Sequence, residues 1–209
     1  MRHFIWDFDG MLFDTYPHTL AAFCEACRRF GVPYREEEVF AHLKITVWDA
    51  LRYYGFDEAM TAAFYAIEND LDFLPRGKPY PMIPQILEHI VNNGGKNYLY
   101  SHRDKVAVRY LEIYGLAPFF ADAVTRENGF PHKPAPDAVE YLIAKHQLDK
   151  SDCLMLGDRL IDVGSGINAG VHTLLFDEFG DLPPADCDYR CRTTEELYEL
   201  VAKLTTAQP

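Results

Sequence analysis

Five side chains of this 209-residue sequence could act together on a phosphate group: Asp7, Asp9, Ser101, Lys133 and Asp158. Asp7 and Asp9 close a first short apolar run, Ser101 ends a second, Lys133 follows a third and Asp158 a fourth, with Asp162 one helical turn further on. Three carboxylates make a hard oxygen site suited to Mg²⁺, a hydroxyl and an ammonium can hold phosphate oxygens, and one carboxylate is left to attack. Each residue also has a plainer reading. Asp next to Gly is a common turn residue, Ser101 could cap a helix beginning near Asp104, and Lys133 before Pro134 could be an ordinary exposed lysine. What distinguishes Asp7, Asp9, Ser101, Lys133 and Asp158 is that each follows a strand-like run.

The runs themselves predict how these residues meet. Residues 3–7 read as a buried strand, and the next strand comes only at residues 97–101. Between them the pattern is helical. Leu20, Phe23, Cys24 and Cys27 keep one face, with Thr15 as the expected cap and Gly31 as the stop; a second segment covers about residues 35–43. Thr46 with Asp49 resembles a capping box, and Met60, Phe64, Ile67 and Leu71 mark a fourth helical face. Four prolines between Pro75 and Pro84 then read as a stiff linker. Residues 15–80 are therefore expected to form an inserted all-helical domain, and residues 1–14 with 81–209 the core. Past the linker, Ile83, Ile86, Leu87, Ile90 and Val91 predict a helix, and strands near NYLYS, DAVT, CLMLG and HTLLF alternate with further helices. That alternation predicts an α/β fold with a doubly wound parallel sheet, whose ligands bind at the carboxyl ends of the strands.

Four segments carry a family resemblance that covers the whole non-inserted part of the chain: DFDGMLFDT at 7–15, YSHRD at 100–104, HKPAPDA at 132–138 and LGDRLIDVGSGINAG at 156–170. In order and spacing they resemble the four motifs of the haloacid dehalogenase superfamily, in the subgroup that holds phosphoglycolate phosphatase-like and beta-phosphoglucomutase-like proteins. Met11 departs from the usual Thr and is expected to tune loop packing. The resemblance implies a Rossmann-like core and a Mg²⁺-dependent phosphomonoesterase working through an aspartyl-phosphate. Asp7 would be the nucleophile and Asp9 the general acid and base. Asp7, Asp158 and the Asp9 carbonyl would hold the metal, Ser101 and Lys133 the phosphate, and Asp162 would orient Lys133 or the metal's waters. His102 would touch the phosphate or merely sit in the loop.

Residues 15–80 occupy the position of the family's small helical cap. Within it, HLKITVW at 42–48 is the expected specificity segment, with Lys44 as the substrate-binding candidate and His18, near the hinge, as a second; a solvated Lys44 and a surface His18 are the plainer readings. Trp48, Tyr53 and Tyr54 are expected in the cap core. The competing reading is a phosphosugar mutase of the beta-phosphoglucomutase type, disfavoured because its cap histidine would fall at Thr19, one place from His18. A dehalogenase is disfavoured by the second acid, Asp9, and a scaffold that binds without turnover by the intact motif residues.

Composition narrows the partners. A net charge of −12 argues against a nucleic-acid track or an anionic membrane surface, which leaves a small phosphorylated metabolite. Asp7 interrupts the N-terminal apolar run before it could serve as a signal segment, and an odd count of 5 Cys fits reduced thiols, so a cytoplasmic protein is expected. The pairs Cys24/Cys27 and Cys187/Cys191 could suggest zinc by spacing, but burial of free cysteines on a helix stripe and at a strand edge is the favoured reading.

Overall fold

The structure is a computed structural model and describes residues 1–70, 72 and 77–206. The chain divides into two compact units, Met1–Phe13 with Pro79–Pro209, and Asp14–Lys78. In chain order the elements are β1 (His3–Trp6), β2 (Phe13–Asp14), α1 (Tyr16–Phe30), α2 (Glu36–Ile45), α3 (Val47–Tyr53), α4 (Glu58–Glu68) and β3 (Lys78–Pro79). There follow α5 (Ile83–Asn92), β4 (Lys96–Tyr100), α6 (Val106–Ile113), β5 (Phe120–Val124), α7 (Asp137–His146) and β6 (Cys153–Gly157). The chain closes with α8 (Leu160–Ala169), β7 (His172–Phe176), β8 (Tyr189–Cys191) and α9 (Thr194–Thr206).

The larger unit is built on a six-stranded sheet in the order β5-β4-β1-β6-β7-β8, parallel throughout. Phe4, Ile5 and Trp6 are all fully buried, because a parallel strand covered by helices on both faces has no solvent side and reads as a continuous apolar run. On one face Ile5, Tyr98 and Met155 pack with Val139 and Leu142 of α7 and Ala169 of α8. Helix α5 buries Ile83, Ile86, Leu87 and Ile90, a one-sided stripe whose closure contributes roughly 1.5–3 kcal/mol per side chain. The Trp6 indole donates to Asn97 Oδ1 at 2.9 Å, which satisfies a polar pair inside this core. Order reverses at β1: the chain runs outward through β4 and β5, then returns to β6 on the other side, so β1 lies at the switch point.

The smaller unit is helical, with Phe23, Cys27, Val39, Leu43, Leu51 and Phe64 in its core. Thr46 caps α3 as its spacing predicts, its hydroxyl accepting the Asp49 N–H at 2.9 Å, and Gly31 ends α1 at φ 67°. Thr15 stands at the head of α1 but its side chain makes no cap hydrogen bond, since its backbone is already helical at φ −101°, ψ −9°. Burial pushes the Cys24 and Cys27 thiols up to about 11, as expected of cysteines that pack as apolar residues.

Two expectations for this unit are corrected. His18 is not a surface residue: it is fully buried, and its Nε2 donates to the Glu68 carbonyl at 2.8 Å, a helix-to-helix bond invisible to local spacing. Trp48 and Tyr53 are not core; they are 62% and 58% exposed, because the seven-residue α3 turns Ala50 and Leu51 inward instead. Leu71, Pro75 and Arg76, part of the predicted fourth face and of the predicted linker, lie outside the described residues. Among the described residues no helix is long and apolar enough to cross a membrane.

Candidate active site

The Asp7 N–H donates to the Leu156 carbonyl at 2.8 Å, carrying the β1–β6 ladder one residue beyond the strand and presenting Asp7 at the carboxyl edge. Phe8 then drops into the core, stacked on Phe13 at 4.6 Å and edge-on to Tyr110 at 5.6 Å. Gly10, at φ 71°, turns the loop back so that its N–H reaches the Phe13 carbonyl at 2.8 Å. Met11 is fully buried beneath the loop, a packing position as expected. Apolar residues thus anchor the loop from below while the two acids are left at the edge.

Ser101 continues β4, its N–H donating to the Val124 carbonyl at 2.9 Å, and its hydroxyl accepts the Arg103 N–H at 3.0 Å. The expectation that it caps the next helix is corrected: α6 begins at Val106, whose N–H is accepted by Asp104 Oδ1 at 2.9 Å. The short acidic side chain two residues upstream reaches that donor, whereas Ser101 closes a tight turn of its own. His102 Nε2 accepts the Lys133 N–H at 3.0 Å. Burial, then the positive charges of Lys133 and Arg159, lower the His102 pKa to about 3, so the ring is neutral and able to accept that bond. Its side chain therefore positions the Lys133 loop.

Lys133 Nζ is held inside the site by Asp7 Oδ1, by Asp162 Oδ1 at 2.7 Å and by the Tyr100 carbonyl at 3.1 Å, and it lies 4.3 Å from the Tyr100 ring centroid. Burial alone would discharge such an ammonium, but the carboxylates of Asp162 and Asp7 outweigh it and hold the pKa above the ordinary lysine value. Asp162 is held below the usual carboxylate range, the pull of Lys133 and Arg159 overcoming its burial. Asp7 goes the other way. Burial and the neighbouring Asp162 push it up to about 6 against the pull of Lys133 and Arg159. Its Oδ2 is buried and has no hydrogen-bond partner among the described residues.

Asp158 leaves the end of β6, and Asp162 comes back against it from the first turn of α8, where its Oδ2 accepts the Arg159 N–H at 3.0 Å. That return requires Gly157: a Cβ there would sit 2.2 Å from the Asp162 Cβ. Asp7, Asp158 and Asp162 each offer a carboxylate oxygen within 4.8 Å of the others. An all-oxygen donor set that includes the buried Asp7 Oδ2 fits a hard divalent cation.

Two arginines absent from the sequence-predicted set complete the site. Arg103 Nε donates to both oxygens of Asp9, at 2.7 and 2.9 Å, with its side chain 9% exposed. Arg159 lies within 3.6–3.8 Å of Asp7, Asp158 and Asp162 at once. The available signal was position alone, two residues after Ser101 and directly after Asp158; the direction a loop arginine takes is not encoded in spacing. Lys44 belongs to the other unit, half-buried in the last turn of α2.

A family model described as haloacid dehalogenase-like hydrolase matches residues 4–176. The chain belongs to that family. Among haloacid dehalogenase-like relatives, a phosphoglycolate phosphatase of Vibrio parahaemolyticus is 28% identical over 94% of this chain and 94% of its own length. Pyrophosphatase PpaX of Bacillus velezensis is 26% identical over 81% of this chain and 80% of its own. A hydrolase crystal structure from Streptococcus pneumoniae TIGR4 is 30% identical, covers 86% of this chain and 95% of its own, and superposes with a TM-score of 0.62. In this haloacid dehalogenase-like hydrolase, Gly157→Ala is expected to lower kcat/KM by about 10²-fold with the fold retained, because Asp162 and with it Lys133 must shift by on the order of 1 Å. Steady-state kinetics beside circular dichroism checks this; unchanged turnover would mean that the Asp162 contact is dispensable.

Proposed function

We propose that this enzyme is a Mg²⁺-dependent phosphatase that hydrolyses a small phosphorylated metabolite through an aspartyl-phosphate on Asp7. The observation that carries the reading is the state of Asp7: one oxygen fixed by Lys133, the other buried without a hydrogen bond, beside two further carboxylates. The relatives named as phosphatases support the same reaction class.

In the first half-reaction a carboxylate oxygen of Asp7 bonds to phosphorus as the bond from phosphorus to the leaving oxygen breaks, and Asp9 gives the leaving oxygen a proton. In the second, Asp9 takes the proton of a water whose oxygen attacks phosphorus, and the Asp7–phosphorus bond breaks to release phosphate. Lys133 and Ser101 hold the non-bridging oxygens, and His102 keeps the Lys133 loop in register. A magnesium ion held by Asp7, Asp158 and the Asp9 carbonyl would supply the positive charge that lets a carboxylate approach a phosphate dianion. Asp162, already paired with Lys133, orients that ammonium. The test is phosphate release from a panel of sugar phosphates, phosphoglycolate, pyrophosphate and nucleotides, with and without Mg²⁺. Metal-dependent turnover of one class is expected; silence across the panel, or transfer between sugar positions without phosphate loss, would overturn the reading.

The clamp on Asp9 gives a second expectation. Arg103→Met removes the two hydrogen bonds that hold the Asp9 carboxylate in place, and a misplaced general acid costs about 10²-fold in kcat. Poor leaving groups should suffer most, so alkyl phosphates should slow far more than p-nitrophenyl phosphate, with KM little changed. A uniform loss on both substrates would assign Arg103 to binding instead.

A further inference from the structure

We propose that Arg159 is a built-in counter-ion of the carboxylate cluster, an internal cation that the divalent metal must displace, and that it thereby sets how tightly the metal is held. The proposal rests on the metal-dependent reading above and goes beyond it by assigning a role to a residue that the proposed chemistry does not use.

The geometry is specific. From one guanidinium, Nη2 lies 3.8 Å from Asp7 Oδ2, and Nε lies 3.6 Å from Asp158 Oδ1 and 3.7 Å from Asp162 Oδ2. Those three residues are the ones whose carboxylate oxygens converge within 4.8 Å. The guanidinium is thus at ion-pair range of every member of the cluster. Its side chain is 19% exposed, whereas Lys133 is wholly enclosed, so of the two cations Arg159 is the one with a path outward.

Charge explains why the fold keeps it there. Three ionised carboxylates, each at most 8% exposed, repel one another strongly, and Lys133 offsets only one of those charges. Arg159 brings the cluster to a net −1. When a dication enters, the guanidinium has to leave its place, because two positive groups against the same oxygens repel each other as strongly as the carboxylates did. Swinging on its long side chain, it gives up the outer contacts while its backbone N–H stays on Asp162 Oδ2 at 3.0 Å. Metal binding therefore works against an ion pair already made, which weakens the affinity relative to a site with a neutral residue at this position.

The experiment is calorimetric titration of Mg²⁺ into the chelator-stripped full chain, for wild type, Arg159→Gln, Arg159→Lys and Asp158→Asn, with melting followed in EDTA and in Mg²⁺. Arg159→Gln should bind Mg²⁺ at least about tenfold more tightly than wild type. It should also melt lower in EDTA and regain more on Mg²⁺ addition, while Arg159→Lys stays within about threefold of wild type. Equal or weaker Mg²⁺ binding in Arg159→Gln, with binding lost in Asp158→Asn, would overturn the proposal and leave the metal-dependent reading standing. No Mg²⁺ binding by wild type would overturn both. Should Arg159→Gln prove unable to fold without metal, the Nε–H proton signal of Arg159 in the wild-type protein, assigned by its absence in Arg159→Lys, decides the matter: it must move on Mg²⁺ addition, and a stationary signal overturns the proposal.

Discussion

Asp7→Asn is expected to abolish turnover, by on the order of 10⁴ to 10⁶-fold, and at the same time to make the metal-free protein more stable at neutral and alkaline pH. The loss follows because an amide cannot serve as the attacking oxygen in the proposed covalent step. The gain follows from the environment of Asp7, where burial and the Asp162 carboxylate push the acid up to about 6 from an ordinary 3.8. A carboxyl whose pKa is higher in the folded chain holds its proton more tightly there. Its contribution to stability is fully present below about pH 4 and is lost as pH rises through about 6. Asn carries no charge to ionise. In EDTA at pH 8 the variant should therefore melt above wild type, and the difference should vanish near pH 4. Differential scanning calorimetry across pH 4–8 reads this directly. A variant less stable than wild type at pH 8 would mean that the Lys133 ion pair, and not the burial of Asp7, dominates the energetics. If the variant melts above wild type as expected, the same residue carries activity at the expense of stability, as is common where a fold holds reactive charge out of water.

Lys133→Met should be the most disruptive single change to the larger unit. The ammonium is enclosed between Asp7 and Asp162, and its removal leaves two buried carboxylates with Arg159 as the remaining cation paired to them among the described residues. Breaking a buried pair from one side costs about 3–5 kcal/mol, which for a chain of this size lowers Tm by roughly 10 °C. The methionine fills a similar volume, so the loss reports charge and not a cavity. Turnover should fall by roughly 10²–10³-fold, since in the proposed reaction the phosphate loses the cation that offsets its negative charge. A second change separates the two effects. Lys133→Met with Asp162→Asn removes one of the stranded charges and should recover a large part of the stability while restoring none of the activity. If the single variant melts with wild type, the buried pair contributes nothing net and the reading of this cluster is wrong.

Much of the molecule was legible without coordinates, and the reason is local. The strands of the sheet were readable because parallel strands buried on both faces are unbroken apolar runs, as in Phe4–Ile5–Trp6 and Leu154–Met155–Leu156. The cap at Thr46 and the stop at Gly31 were readable because each is a contact within one helical turn. Contacts between distant segments were not. His18 carries an ordinary sequence context, and only the approach of α4 to α1 buries it against the Glu68 carbonyl. Trp48 and Tyr53 look like core by composition, yet the inward face of α3 is taken by smaller residues. That Ser101 does not cap the next helix was likewise not legible, because the choice turns on where that helix begins, and α6 starts only at Val106.

The same division runs through the site. By itself the sequence determined that Asp7, Asp9, Ser101 and Asp158 follow the ends of strands and that Lys133 lies in the loop after β5, since hydrophobic periodicity and turn chemistry act over a few residues. Tertiary structure alone decided how their charges are paired. Lys133 meets Asp7 and Asp162 across 126 and 29 positions, and Arg103 reaches Asp9 across 94, because the order of strands brings those loops to one edge. Whether a buried cation neutralises, clamps or competes depends on distances of a few ångströms in a medium where charge is weakly screened, and no spacing along the chain encodes them.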